Sequence, residues 1–136
     1  MKLDWLILCD AAQVTGNKLY VLGGGWDVIT VAGLPPIHRG AVAVAVRVPW
    51  HETNQRHTLE LEVVHDDGGS LVKVNGEFQV GQPPNALPGQ DQRMQFAANL
   101  DLQLQHAGGY AMIARIDGEE SERMPFRVVQ AQPPQA

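Results

Sequence analysis

The feature that most constrains this chain is a two-residue alternation of side-chain character. Val42, Val44, Val46 and Val48 share one face of a segment whose other face carries small side chains. The segment from 96 to 104 alternates apolar and polar residues in the same way, and no stretch keeps the spacing of an amphipathic helix over three turns. Because successive side chains of a strand point to opposite faces, this pattern predicts half-buried antiparallel strands.

Nine such strands are predicted, separated by segments rich in Gly, Pro, Asn and Asp. Asp117-Gly118 is the strongest hairpin signal, since both central residues of a type I′ turn need positive φ. Thr15-Gly16-Asn17 closes a first hairpin, and Gly23-Gly24-Gly25 indicates a bulge or a close backbone approach. The predicted strands span residues 2–9, 18–23, 26–32, 40–48, 57–65, 71–80, 93–104, 110–117 and 122–129.

These strands predict an all-β fold, a two-sheet antiparallel β-sandwich of immunoglobulin-like or C2-like strand order. The 136 residues fit a single domain over 1–129 with a flexible Gln/Pro-rich tail over 130–136. Tyr110 stands where a tyrosine of immunoglobulin-like domains pins the corner before its strand. An ordinary half-buried strand tyrosine explains the same residue, and the sequence leaves both interpretations open.

Composition narrows the function classes. Lys and Arg total 10 against 15 Asp and Glu, so the net charge is −5, which disfavours a nucleic-acid partner. No apolar run is long enough for a membrane span or a signal peptide, so we expect a cytoplasmic protein without a membrane partner. The single cysteine, Cys9, excludes an internal disulfide and lies in an apolar strand, where we expect a buried, unreactive thiol.

No cofactor motif or catalytic motif occurs, and we expect a protein that is not an enzyme. His57 and His65 bracket a strand and would lie roughly 26 Å apart, too far to share a metal ion. Asp10, Asp66 and Asp67 are weak candidates for a calcium site, although an Asp-Asp-Gly-Gly segment is more often a solvated turn.

Strand alternation would gather the ionisable loop residues at the two ends of the sandwich. One end would hold Asp10, His38, Asp66, Asp67 and His106. The other end would hold His51, Glu52, Asp117, Glu119 and Glu120. These are the two places where polar groups could converge.

Two segments of the chain carry a resemblance to known proteins. The opening reads Leu3-Asp4-Trp5-Leu6, then Leu8-Cys9-Asp10-Ala11, then Gly16 to Asp27, and the closing part includes Gly109-Tyr110, Ile116-Asp117-Gly118 and Pro125-Phe126-Arg127-Val128. Together they resemble a family of short bacterial proteins of unknown function that is common in actinobacteria. The resemblance covers about residues 2–129 and implies no activity, cofactor or site residue.

The strand at 41–48 carries apolar groups on both faces, more than a two-layer domain has to hide. We therefore expect Val42, Val44 and Val46 at a buried or interface position, and Trp50 as an anchor for a partner. The leading hypothesis is a non-enzymatic protein-binding or self-assembling module, and self-assembly would make it a homo-oligomer. The alternative is a small-molecule or calcium-binding module that uses loops at one end.

Overall fold

A computed structural model describes residues 1–33 and 37–131. The described chain is built from strands, with one short 3₁₀ turn at Trp50–Glu52. The strands are β1 (Lys2–Thr15), β2 (Lys18–Gly24), β3 (Val28–Val31), β4 (Ile37–Val48), β5 (Arg56–His65), β6 (Ser70–Gln79), β7 (Gln92–Gln103), β8 (Gly108–Ile116) and β9 (Glu119–Gln130). The all-β prediction is confirmed.

The strands form two sheets. Sheet I has the order β2-β1-β4-β7, and sheet II has the order β3-β9-β8-β5-β6. Neighbouring strands run antiparallel except for β3, which pairs parallel with β9. The two-sheet sandwich is therefore confirmed with one parallel pair, and it is an approximate sandwich because sheet II is curled.

The main core lies between the inner faces of the two sheets. Strands that alternate in sequence contribute every second side chain to it, as their period requires. Its fully buried members include Val42, Val44, Val46, Val48, Val63, Leu104, Met112, Phe126 and Val128. Val42, Val44 and Val46 have no exposed surface, so the interface role predicted for them is replaced by a core role.

The first strand is longer than the sequence predicted. It continues from Cys9 to Thr15 and pairs with β2 through a two-residue turn, Gly16-Asn17, whose φ angles are 58° and 60°. We call residues 11–22 the outer hairpin. Its side chains alternate between half-buried and exposed, which shows that one of its faces packs against the protein.

The outer hairpin lies across the outer face of sheet I. β1 contacts β7 although β4 separates them in the sheet, and the Gln95 Nε2 amide donates a 3.2 Å hydrogen bond to the Asn17 carbonyl. Beneath it, the outward-facing Ala41, Ala43 and Ala45 are at most 1% exposed. The hairpin thus forms a third layer, and this layer accounts for the second apolar face of β4.

Glycine at position 24 permits this close packing. A Cβ atom there would lie 2.7 Å from Val21 Cγ1 and 3.4 Å from both Cys9 Cβ and Ile7 Cγ2. The predicted close backbone approach of the three glycines is confirmed at this position.

Some predicted features fall outside the description or change in extent. The predicted strand 26–32 is shorter, at Val28–Val31, and the Pro35-Pro36 loop lies outside the described residues. Of the predicted tail, residue 130 still belongs to β9, Ala131 donates its N–H to the Val31 carbonyl, and 132–136 are not described. In the described residues no helix is long and apolar enough to cross a membrane.

Replacing Gly24 with alanine should destabilise the protein by about 1–3 kcal/mol, because the added methyl collides with Val21. Gly76 is the matched control, since it is also in a strand and a Cβ there meets no atom within 4 Å. Chemical denaturation of both variants measures the difference. Equal stability of Gly24→Ala and Gly76→Ala would show that the hairpin is not packed as described.

Candidate functional site

At one end of the sandwich, the turn after β5 lies beside the loop before β8. His65, at the end of β5, has its ring centroid 5.6 Å from that of His106 and 4.7 Å from that of Tyr110. A cavity of about 300 Å³ opens between them, and it is also lined by Asp67, Ser70, Gln103 and Gln105. We call this the His65 cavity.

Tyr110 holds the shape of this end. Its hydroxyl donates a 2.6 Å hydrogen bond to the His106 carbonyl; the residue is 3% exposed and its ring stacks on Phe126. The corner interaction that the sequence left open is therefore confirmed. It fixes the loop that carries His106 relative to the start of β8.

The acidic side chains at this end contact the backbone of nearby glycines. The Asp67 carboxylate accepts the Gly69 N–H at 2.8 Å and lies 3.2 Å from His65 Nδ1; the Gly69 contact first and His65 second lower the pKa of Asp67. The Asp66 carboxylate packs against Gly109, and that of Asp10 packs against Gly23. In residues 1–33 and 37–131, no three His, Cys, Asp or Glu side chains group in a way that could hold a metal ion, so the three aspartates predicted as calcium candidates do not converge.

At the opposite end, His57 links the turn after β8 to the 3₁₀ turn. The sequence did not assign His57 to this end. Its Nδ1 lies 2.8 Å from Asp117 Oδ2, and its Nε2 lies 2.7 Å from the Glu52 carbonyl oxygen. A carbonyl can only accept, so Nε2 carries a proton, and the Asp117 carboxylate favours a second proton on Nδ1. Both ring nitrogens thus face acceptors, which favours the imidazolium form, and His57 is only 5% exposed.

The titration behaviour of the pair follows from these contacts. Burial by itself would lower the pKa of His57, but the Glu52 carbonyl and the Asp117 carboxylate outweigh it and the pKa is raised. Burial likewise opposes ionisation of Asp117, but the Thr58 N–H and His57 lower its pKa. Asp117 lies in the tight turn at φ 52°, and its two carboxylate oxygens contact the two partners separately, Oδ2 facing His57 and Oδ1 accepting the Thr58 N–H at 2.9 Å.

The other acids predicted for this end do come together. Glu52, Asp117, Glu119 and Glu120 line a second cavity of about 170 Å³ with Met1, whose amino group lies 3.5 Å from Glu52. His51 is exposed next to them and lies 3.8 Å from Glu52.

The structure gives the environments of Cys9 and Trp50, the two residues for which the sequence predicted a buried thiol and a partner anchor. Cys9 is fully buried; its thiol donates to the Ala41 carbonyl at 3.5 Å, and burial, with a smaller effect of Asp10, raises its pKa. The expectation of a buried thiol is confirmed. Trp50 is half-buried in the 3₁₀ turn, where its carbonyl accepts bonds from Thr53, and its role as an anchor stays a prediction.

His38 and Trp26 form an aromatic contact away from both cavities, with ring centroids 5.7 Å apart. The structure thus separates His38, as well as Asp10, from the lining of the His65 cavity, although the sequence grouped them with His106.

One surface feature was missed from sequence. Tyr20 and Leu22 lie on the exposed face of the outer hairpin, where they are 57% and 72% exposed, and they belong to an edge strand of sheet I. The signal was available, because Leu19 to Leu22 are four apolar residues in succession, whereas a strand with one buried face needs only every second one.

Comparison with known proteins supplies a family. A family model matches residues 4–129 of the chain. The chain belongs to DUF6941, a family of unknown function. No curated protein matches it.

Among solved structures, one that is similar to this DUF6941 chain is the alkylpurine DNA glycosylase AlkC of Pseudomonas fluorescens, bound to DNA containing an abasic site analogue. The likeness covers 91% of this chain and 30% of that protein, with 11% identity and a TM-score of 0.44. The chain thus spans less than a third of the length of that glycosylase, and at this TM-score the likeness bears on neither fold nor function.

Replacing Tyr110 with phenylalanine should cost about 1 kcal/mol of stability, because it removes the hydroxyl bonded to the His106 carbonyl and keeps the ring. Tyr20→Phe is the matched control, since Tyr20 is exposed. Thermal and chemical unfolding of both variants provide the measurement. A Tyr110→Phe protein as stable as the control would contradict the corner.

The His57–Asp117 pair should make stability depend on pH. Because the folded-state pKa of His57 is raised, its contribution is fully present below the unfolded-state pKa of about 6.5 and is lost as pH rises through the folded-state value. The lowered pKa of Asp117 gives a contribution that is present above about pH 4 and is lost as pH falls.

The variant Asp117→Asn should therefore be less stable than the wild type between about pH 4 and 6.5, and the difference should shrink above that window. Asparagine tolerates the positive φ at this position. Urea denaturation across the pH range measures the two curves, with His51→Gln as a control because His51 is exposed. Parallel curves for wild type and Asp117→Asn would contradict the buried imidazolium.

Proposed function

We propose that this DUF6941 chain is a non-enzymatic, self-assembling β-domain that associates through the free edge of β2. The observation that carries the proposal is the exposure of Tyr20 and Leu22, side by side on one face of a strand that has a neighbour on one side only among residues 1–33 and 37–131. Edge strands with exposed apolar side chains pair readily with another strand.

Comparison of the four sheet edges supports β2. Charged side chains blunt an edge against pairing, and two of the other edges carry them within the strand: Lys73 and Glu77 in β6, and Arg93 and Asp101 in β7. The third edge, β3, is only four residues long. β2 is seven residues long and carries one charge, Lys18, at its first position.

The electrostatics of the chain also support this edge. The protein has a net charge of −5, which by itself opposes association of identical copies. No acidic residue occurs between Gly16 and Trp26, so pairing through β2 brings no carboxylates of that segment together. The assembling edge is the neutral to slightly basic part of an acidic protein.

A second candidate function is the binding of a small polar molecule in the His65 cavity. Its volume of about 300 Å³ is at the lower limit for ligand pockets, and two imidazoles and two carboxamides line it. A ligand-dependent rise in melting temperature that His106→Ala abolishes would favour this candidate.

The Tyr110 corner supports the immunoglobulin-like version of the sandwich over the C2-like one.

The double variant Tyr20→Lys/Leu22→Lys should remain monomeric where the wild type associates. Lysines at these exposed positions leave the fold intact and place charge on the pairing face, so association should weaken by about tenfold or more. Light scattering after size exclusion, over a wide concentration range, measures the mass.

Leu87→Lys is the matched control, because Leu87 is 70% exposed and lies in the loop between β6 and β7. It should associate like the wild type. A wild-type protein of monomer mass at every concentration would overturn the proposed function.

A further inference from the structure

We infer that the assembly is a closed two-fold dimer in which β2 pairs antiparallel with β2 of a second copy, Tyr20 of each copy lying opposite Leu22 of the other. The inference rests on the proposed function and specifies its partner and register. Antiparallel pairing of one edge with itself is isologous, so the dimer leaves no β2 edge free for a third copy.

The turn of the outer hairpin determines which backbone groups are available. In a two-residue hairpin the flanking residues, here Thr15 and Lys18, form a hydrogen-bonded pair, and bonded and non-bonded pairs then alternate along the ladder. Lys18, Tyr20 and Leu22 therefore turn their backbone groups toward β1. Leu19 and Val21 turn theirs toward the free edge.

This alternation leaves few registers. Bonded pairs across the dimer must join outward-facing positions, so Val21 can pair with Val21, Leu19 or Gly23 of the second copy. Pairing Val21 with Leu19 places Tyr20 opposite Tyr20 and Leu22 opposite Lys18. Pairing Val21 with Gly23 places Leu22 opposite Leu22 and Tyr20 opposite Gly24, and both of these registers overlap by only five residues of β2. Pairing Val21 with itself places both exposed apolar side chains opposite each other, twice per dimer.

The self-pairing of Val21 also gives the longest overlap. β2 runs from Lys18 to Gly24, so Val21 is its centre and all seven residues face a partner. Each Lys18 then lies opposite Gly24, and the two lysines are at opposite ends of the paired segment. The register thus combines full overlap, apolar pairing and separated like charges.

Cysteine cross-linking tests this arrangement. The pair 20–22 is a non-bonded pair, with Cα atoms about 4.5 Å apart, which is within disulfide range. Identical positions, 20–20 or 22–22, would be diagonal neighbours about 7–8 Å apart, beyond the Cβ separation that a disulfide allows. Cys9 is fully buried and contributes no background.

An equimolar mixture of Tyr20→Cys and Leu22→Cys proteins should therefore form a disulfide-linked heterodimer about tenfold faster than either protein forms a homodimer alone. Leu87→Cys, exposed to a similar degree, measures random collision. Non-reducing electrophoresis after mild oxidation resolves the species, and intact mass spectrometry distinguishes hetero- from homodimer. The covalent bond also traps a dimer that exchanges rapidly.

The failures are distinguishable. If Tyr20→Cys alone or Leu22→Cys alone cross-links as fast as the mixture, the register is wrong and self-assembly through β2 stands. If no β2 variant exceeds Leu87→Cys while light scattering shows a dimer, the copies meet through another surface and both the register and the β2 edge are wrong. If the wild type is also monomeric throughout, self-assembly itself fails.

Discussion

Burial of β4 on both faces is the constraint on which the rest of this structure depends. A central strand with valines on one side and alanines on the other needs a layer against each side. Sheet II supplies the first layer, and the outer hairpin supplies the second by crossing sheet I toward β7. The exposed face of the hairpin, with Tyr20 and Leu22, is a consequence of that crossing, because its other face is used against β4.

The sequence predicted most strands because their side chains alternate between one buried and one exposed face. It placed the end of β1 too early because Asp10 to Thr15 is small and polar in composition, and these residues are a strand through pairing with β2 rather than through their own pattern. The two apolar faces of β4 were recognised, but alternation shows only that a face is buried, and tertiary structure decides what covers it. Strand order depends on long-range pairing and was likewise beyond the sequence.

The polar clusters were predictable to the extent that turns determine them. Glu52, Asp117 and Glu119 were grouped correctly because they lie in turns or at a strand end on the same side of the sandwich. His57 was missed because it belongs to a strand. It contacts Asp117 because β5 and β8 pair antiparallel, which places the start of β5 beside the turn that follows β8. Positive φ at Asp117 was anticipated from the Asp-Gly pair, but the partner of its carboxylate was not.

The alanine face of β4 sets the distance between the outer hairpin and the sheet. Each side chain there extends by one methyl group, and Gly24 allows Val21 to approach Cys9 and Ile7. A larger residue at 41, 43 or 45 would increase the distance between the outer hairpin and sheet I. Smaller residues at 12, 14, 19 or 21 would be needed to restore that distance. As sequences of this family diverge, the outward face of β4 and the inward face of the outer hairpin should therefore vary together. Side-chain volume gained on one face is compensated by volume lost on the other.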